Sequence, residues 1–561
     1  MLFTNGSYKP LSIYIENQAI RQVLLKRYLG ILLDPKLTFS PQTEGALVTA
    51  KKSLGKVSRL IKGRYGLPVN IGINLFKVLI RIHLEFGIPV WAHLSESNIQ
   101  KLESFQAHSL RVIAGAKRNC SSNALNVILR ILPFRLRIQE LCSREFIRIQ
   151  AKDESHILRR LLNTSFRHKN SFCPLEFIKL KSRTLIKELG DKQIAKDYLP
   201  LPQDILQRSS IPYLNLFTCN IGNSHSRTAE QKQIAENTFN EFQNRIANRF
   251  LSIYTDGSVI GNPAGYGACS AVLVPIEPTP DVYTVANIVG ADTNNVDCEL
   301  LAIHLALNMA IGYLKWRNKK DKTFFICSDS TSAIQIASRQ RNFSNHHISL
   351  RKILTSTREL RDMGVTPVLV WVPAHANIPL NDMADQSAKA AAMEAKTSSH
   401  LEAIPLSKSV TFNLINQIVK KEWLRQWKIS PSGHHTQELI QDVDSCIFLP
   451  KKRSIAISYI RSLLNDTILR DTMFKQGLEA SPICICGNER ETVDHFMLRC
   501  PIYATQRNDL FLSYKVITQQ RMIPSLHHLI GHRWIKDLSV QDELKLKEAV
   551  FNYFKSTAKS L

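Results

Sequence analysis

The feature that most constrains the fold is a change of hydrophobic period between residues 249 and 396. Arg249–Thr255, Tyr266–Val274 and Val282–Val289 read as three strands separated by glycines and prolines, the first ending in an Asp256-Gly257 turn. The period then lengthens, and Leu300, Ile303, Leu307 and Ile311 share one helical face across Cys298–Leu314. A short apolar strand, Thr323–Ser328, is followed by helix patterns at Ser330–Ser338 and Leu350–Met363. Thr366–Val372 reads as a fifth strand, and the Ala-rich Asp382–Ala395 as the last helix. Three strands followed by alternating helix and strand predict one α/β domain with a mixed five-stranded sheet flanked by helices.

Four acids stand at telling places in this pattern. Asp256 is expected at the end of the first strand, Glu299 at the start of the first long helix, Asp329 after the fourth strand and Asp385 in the last helix. Strand ends and helix starts of an open α/β sheet meet at one edge, the usual place for a site. Crowded carboxylates repel one another unless divalent cations neutralise them, and hard ions such as Mg²⁺ prefer oxygen ligands. Taken singly, each acid has a bland explanation: a turn at Asp256, a helix-dipole charge at Glu299, a helix cap at Asp329, a solvated helix position at Asp385. Taken together, in this order and spacing, they are hard to explain by chance, and two divalent ions held by converging carboxylates can activate a water at a phosphodiester.

The residues that carry this pattern resemble a type 1 ribonuclease H domain. The matching pieces are Tyr254-Thr255-Asp256-Gly257-Ser258, Glu299-Leu300-Leu301-Ala302-Ile303, Ser328-Asp329-Ser330 and Trp371-Val372-Pro373-Ala374-His375, completed by Asn381, Ala384-Asp385 and Ala388-Lys389. The resemblance covers 249–396 and implies that Asp256, Glu299, Asp329 and Asp385 bind two Mg²⁺ or Mn²⁺ ions. It further implies that an activated water attacks the RNA phosphate of an RNA–DNA hybrid and leaves a 3′-hydroxyl. His375 matches the family's loop histidine, associated with proton transfer or product release. The family usually has Gly where this chain has Asn377 and Leu380. Leu tolerates positive φ poorly, so a reshaped loop is expected there. A-like duplexes are recognised mostly by shape, so weak sequence preference and salt-sensitive affinity are expected.

The flanks are basic. Lys plus Arg number 73 against 47 Asp plus Glu over 561 residues, a formal charge of +26. Residues 1–200 alone hold 33 basic and 14 acidic side chains, an excess of 19. Such a field favours polyanions, nucleic acid above all. Residues 1–219 read as a mostly helical basic region, 220–248 as a polar linker with a short helix at its end, 397–407 as a second linker and 408–561 as a helical C-terminal region. Arg27-Tyr28-Leu29-Gly30-Ile31-Leu32-Leu33-Asp34, Phe86-Gly87-Ile88-Pro89-Val90-Trp91 and Leu110–Ala116 resemble the thumb that follows the polymerase palm in non-LTR, LINE-like reverse transcriptases. No Tyr-x-Asp-Asp or Phe-x-Asp-Asp occurs, so DNA synthesis is not expected. The resemblance implies the C-terminal part of a retrotransposon protein. A catalytically inactive, nucleic-acid-binding remnant is the alternative, and retention of all four acids favours the enzyme. A transposase or integrase of the same broad fold uses three acids at other spacings.

Cys484-Ile485-Cys486, His495 and Cys500 offer three thiolates and one imidazole, a set that suits one structural Zn²⁺. Eleven cysteines, mostly isolated, and no secretory signal point to reduced thiols inside the cell. The longest apolar stretch, Ile71–Leu94, is broken by Lys77, Arg81, His83 and Glu85, so no membrane partner is expected, nor a small-molecule substrate.

Overall fold

The structure, a computed structural model, describes residues 13–20, 22–62, 66–91, 93–163, 174–195, 210–216, 228–247, 249–261, 265–276, 282–317, 322–339, 348–374, 377–397, 405–445, 447–519, 523–531 and 538–557. The chain divides into two compact units. One comprises residues 1–143, 166–182 and 416–561; the other comprises 144–165 and 183–415.

The first unit opens with two short hairpins, Ile13–Ile15 with Gln18–Ile20 and Lys26–Tyr28 with Ile31–Leu33. Three of its N-terminal helices matter below: α1 (Ser40–Lys62), α2 (Glu96–Ala114) and α3 (Ser122–Ile128). Ser95 caps α2, and Gly115 ends it in the left-handed conformation at φ 64°, where glycine avoids the Cβ clash.

The second unit contains α4 (Ala229–Ile246) and a six-stranded mixed sheet. The strands are β1 (Tyr213–Leu214), β2 (Ser252–Ile260), β3 (Gly265–Val274), β4 (Tyr283–Thr293), β5 (Thr323–Ser328) and β6 (Thr366–Trp371). Their order is β1-β6-β5-β2-β3-β4. β1, β6, β5 and β2 are parallel neighbours, and β2-β3-β4 form an antiparallel meander. Four further helices complete the unit: α5 (Asn295–Arg317), α6 (Thr331–Ala337), α7 (Ile348–Asp362) and α8 (Pro379–Thr397).

Alternation along β2 assigns its neighbours. Ile253 packs with Leu300, Ile303 and Leu307 of α5, whereas Tyr254 packs with Phe239 and Phe242 of α4 and with Ala384 of α8. Helices therefore cover both faces of the sheet, as the parallel strands require. Among the described residues α5 alone is long and apolar enough to cross a membrane; here it is the central core helix, with Leu300, Ala302, Ile303, Ala306 and Leu307 fully buried.

Three expectations are corrected. The strand predicted to end at Thr255 runs through Asp256-Gly257 to Ile260, because Asp256 and Gly257 keep their places opposite Ser270 and Cys269 in the ladder. The sheet gains a sixth strand, since Tyr213 and Leu214 pair with Leu369 and Val370; two residues are too few to leave a periodic signal. The segment expected to be mostly linker holds the 18-residue helix α4. Its start is a reciprocal cap in which Gln231 N–H donates to Thr228 Oγ1 (3.2 Å) and Thr228 N–H donates to Gln231 Oε1 (3.0 Å). Its Ala235, Phe239, Phe242 and Ile246 are buried, Phe239 edge-on to Tyr254 at 6.2 Å.

The C-terminal half of the first unit contains α9 (Arg453–Leu464), α10 (Arg470–Lys475) and α11 (Val540–Ser556). Tyr459 of α9 lies against Phe551 and Phe554 of α11 in edge-on contacts of 5.2 and 6.4 Å.

If α4 is part of the second unit's core, Phe239→Ala should destabilise that unit by about 3–5 kcal/mol, the usual effect of emptying a buried phenylalanine site. A urea midpoint unchanged from the parent chain would show that α4 is a passenger.

Candidate active site and candidate metal centre

The sheet brings three of the predicted acids together. One carboxylate oxygen from each of Asp256, Glu299 and Asp329 lies within 4.8 Å of the others. Asp256 comes from the middle of β2, Glu299 from the second turn of α5 and Asp329 from the residue after β5. β2 and β5 are parallel neighbours in register from Ser252–Phe325 to Thr255–Ser328, which places Asp256 and Asp329 at the next step of the same ladder.

Gly257 lets α5 reach this point. A Cβ at residue 257 would lie 2.4 Å from the Glu299 nitrogen and 2.6 Å from the Cys298 carbonyl carbon, so any side chain would push the helix away. Sequence reasoning took Gly257 as a turn residue; its task is the close approach of strand to helix.

The bland roles fall to neighbours. The helix-start work at α5 is done by Asn294, whose Oδ1 accepts from Asp297 N–H at 2.9 Å and whose Nδ2 donates to Asp297 Oδ2 at 2.8 Å. Ser330 caps α6, its Oγ accepting from Ala333 N–H at 3.3 Å. Neither Glu299 nor Asp329 is needed as a cap. Trp371 Nε1 donates to the Asp329 carbonyl at 3.0 Å, tying the loop after β5 to the end of β6.

Asp385 is not in the three-carboxylate cluster. It pairs with Lys389 one turn along α8 at 2.6 Å, a bond that raises the lysine's pKa. Asp385 still acts on the cluster through space, since its charge helps raise both Asp256 and Glu299. The i, i+4 spacing of Asp385 and Lys389 was visible in the sequence. His375 lies outside the described residues. Asn377 adopts φ 53°, which asparagine tolerates. Leu380 is the second residue of α8, so the strain expected at that position does not arise.

Electrostatically the cluster is short of positive charge. Burial first, then the charges of Asp329 and Asp385, push the Asp256 carboxyl up to about 8. Burial and then the charges of Asp256 and Asp329 push Glu299 well above the carboxylate range. Glu299 is 4% exposed; its Oε1 accepts from Asn295 Nδ2 at 3.4 Å, and its buried Oε2 has no hydrogen-bond donor. Three convergent carboxylates, one with an orphaned oxygen, fit hard divalent cations.

A second candidate centre lies in the other unit. Cys484, Cys486, His495 and Cys500 place Sγ and ring-nitrogen atoms within 4.8 Å of one another. The Cys484–Cys500 sulfurs are 3.8 Å apart, and Cys486 Sγ lies 3.4 Å from His495 Nε2. Zinc bonds of about 2.3 Å to sulfur and about 2.0–2.1 Å to nitrogen give tetrahedral edges of roughly 3.8 Å and 3.5 Å, so the site is spaced for such an ion. Gly487 at φ 80° makes the turn after the Cys-x-Cys, and Glu489 lies 3.4 Å from His495 Nδ1, where an outer partner would orient the ring. Among the described residues the cysteines are free thiols.

Residues 248–393 match the RNase H family. The chain is similar to a probable RNA-directed DNA polymerase from transposon X-element of Drosophila melanogaster, 26% identical over 115 residues, covering 20% of this chain and 13% of that protein. It is similar to the RNA-directed DNA polymerase from mobile element jockey of the same organism, 26% identical over 163 residues, 29% of this chain and 18% of that protein. A Pol polyprotein from the type-1 retrotransposable element R1 of Nasonia vitripennis is 29% identical over 97 residues, 17% of this chain and 23% of that protein. The chain thus spans under a quarter of the length of each of these relatives. Solved neighbours include an N-terminal RNase H domain from Mycobacterium tuberculosis, with 20% identity, TM-score 0.22, and coverage of 27% of this chain and 98% of that one. RNase H1 from Halobacterium salinarum matches with 22% identity, TM-score 0.21, and coverage of 26% and 98%. The chain therefore carries an RNase H domain homologous to those of LINE-type and R1-type retrotransposon polymerases.

The carboxyl shifts fix a pH dependence. A group whose folded pKa is raised binds more protons in the folded state between its two pKa values, so stability falls as pH rises through that window. For Asp256 the window runs from its ordinary 3.8 to about 8. In chelator, the second unit should become less stable between pH 5 and pH 8, and millimolar Mg²⁺ or Mn²⁺ should flatten the slope. Asp256→Asn should remove part of it and leave the share that buried Glu299 contributes. A chelated protein equally stable across that range would contradict the buried-charge account.

Proposed function

We propose that the chain hydrolyses the RNA strand of RNA–DNA hybrids endonucleolytically, by two-metal-ion catalysis, within a retrotransposon-derived protein. The observation that carries this reading is the convergence of Asp256, Glu299 and Asp329 within 4.8 Å of one another. Two Mg²⁺ or Mn²⁺ ions held by these residues, with Asp385 at the rim, would activate a water and stabilise the leaving oxygen of the phosphodiester, leaving a 3′-hydroxyl.

The chain's own residues have distinct tasks in this scheme. Asp256 on β2 and Asp329 just after the neighbouring parallel strand β5 would be the central ligands. Glu299 presents its unbonded Oε2 from α5 and is held close by the missing side chain at Gly257. Lys389 holds the Asp385 carboxylate in place from one turn along α8. Trp371 fixes the loop that carries Asp329. His375 is assigned the family's role in proton transfer or product release. The basic excess of the chain supports contact with phosphate backbones, and shape rather than base identity would select the hybrid. LC11-RNase H1, which matches 25% of this chain at 17% identity with TM-score 0.21, was solved in complex with an RNA/DNA hybrid. DNA synthesis is not part of the proposal, because the chain lacks the paired-aspartate polymerase motifs. The four-residue Cys/His set is proposed to hold one structural Zn²⁺.

A labelled RNA–DNA hybrid with Mg²⁺ should be cut by the parent chain. Asp256→Asn and Asp329→Asn should each lower the rate by more than about a hundredfold, beyond the loss typical of outer-shell partners. Equal cutting by all three proteins would remove the mechanism, and binding without cutting by the parent would favour the inactive remnant.

Zinc should be present at about one atom per chain, the occupancy of a single four-ligand site. It should be lost from Cys484→Ser with Cys486→Ser, and an unchanged metal content in that variant would refute the zinc site.

A further inference from the structure

We propose that the Cys484–Cys500 metal centre is the keystone of a domain built from both ends of the chain, so that metal binding there orders the end of α2 and the start of α3, more than 350 residues away in sequence. This rests on the zinc reading above and extends it from a local clamp to long-range control of the N-terminal helices.

The first link is a helix cap supplied from the metal-held hairpin. Cys484 N–H donates to the Glu489 carbonyl at 2.8 Å and Glu491 N–H to the Pro482 carbonyl at 2.9 Å, closing a hairpin that carries two of the four ligands. The neighbouring α10 is only six residues long, and its own N-cap, Leu469, makes no side-chain cap. The first N–H groups of a helix have no partner within it. Here Glu491 serves instead: its Oε2 accepts from Arg470 N–H at 2.9 Å and its carbonyl from Asp471 N–H at 3.4 Å. Arg490 of the hairpin pairs with buried Asp471 at 2.6 Å, and Arg470 donates to the Ile483 carbonyl at 3.3 Å. So short a helix is marginal alone, and its first turn depends on the hairpin.

The second link joins α10 to the N-terminal helices. Lys117, two residues beyond the α2 C-cap, donates through Nζ to the Thr467 carbonyl (2.6 Å), Met473 Sδ (3.4 Å) and Gln476 Oε1 (3.4 Å). Its backbone N–H donates to Asp466 Oδ2 at 3.1 Å. Met473 belongs to α10 and Gln476 caps its end, so two of these contacts require α10, while Asp466 and Thr467 lie in the turn between α9 and α10, with Asp466 N–H donating to the Arg461 carbonyl at 3.0 Å. Arg461 of α9 donates to the Gly115 carbonyl at 2.9 Å, and a Cβ at Gly115 would meet Ile457 at 2.7 Å, so the two segments also touch backbone to side chain. On the far side of the loop, Asn123 of α3 donates to Ser430 Oγ at 2.8 Å. Residues 1–143 and 416–561 accordingly belong to one compact unit, into which the nuclease unit is inserted in sequence.

Hydrogen exchange on the full chain tests the coupling, because local opening is read segment by segment. Stripping zinc with a chelator should speed exchange by about tenfold or more over residues 108–128 and 466–476, together with 482–500, while β2, β5 and α5 stay protected. Re-adding zinc should reverse it. Lys117→Met should keep its zinc but open 108–128 even in the loaded protein, and chelation should then add little there. A change confined to 482–500 on chelation would overturn the proposal while leaving the zinc site intact. Absence of zinc from the purified chain would overturn both this proposal and the zinc reading, and metal analysis separates that case from the first.

Discussion

The unit that carries the RNase H domain depends on holding like charges together away from water. Taking a carboxylate out of solvent costs several kcal/mol even after relaxation, and neighbouring carboxylates add repulsion. Asp256 and Glu299 meet that penalty by rising in pKa, and no lysine or arginine is paired with either carboxylate in the described structure. The rest of the fold can be understood as the frame that imposes this arrangement. Parallel β2 and β5 lock two acids side by side, and α5 is pressed onto β2 where residue 257 has no side chain. Hydrophobic helices on both faces prevent the strands from separating to relieve the strain.

Much of this was legible in the sequence because it follows from period. The strands β3, β5 and β6 and the helices α5, α7 and α8 announce themselves by spacing, and the acids by their places within it. The errors share a physical origin. Asp-Gly is a turn signal when judged locally, yet here tertiary packing decides: the antiparallel partner β3 continues the ladder past Asp256, and the glycine is required by α5 rather than by backbone curvature. The α4 segment looked polar because only one face is apolar, with Ala235, Phe239, Phe242 and Ile246 on it; the Thr228–Gln231 capping pair was the signal that could have revealed it. Asp385 was grouped with the other acids by motif, whereas its side chain is held by Lys389 just beyond the cluster. Periodicity tells which face a residue occupies and not how far its carboxylate reaches.

The two candidate centres also divide the chain by the hardness of their donors. Oxygen ligands on rigid strands suit ions that exchange water readily and serve chemistry. Sulfur and imidazole in a closed, buried set suit an ion that stays in place and serves architecture. Cys484 and Cys500 are buried, and His495 sits in a tight π-helical turn with its ring almost wholly enclosed. Four protein donors would complete a tetrahedral set and leave no open position for a substrate, which is the difference between a structural and a catalytic metal centre.

This division bears on why the chain's ends belong to one unit. Bringing residues near 115 to residues near 466 closes a loop of roughly 350 residues, but the entropy of closure grows only with the logarithm of loop length, so a few strong local contacts suffice. The RNase H unit within that loop folds around its own core. What the closure does need is a rigid partner surface at the C-terminal end. α10 is too short to supply one from helix propensity. The proposed tetrahedral metal centre would provide rigidity in few residues, and its hairpin delivers Glu491 and Arg490 where the helix start lacks partners. Lys117 then has fixed acceptors to bind, which makes the order of the N-terminal helices a consequence of ligand chemistry at the opposite end of the chain.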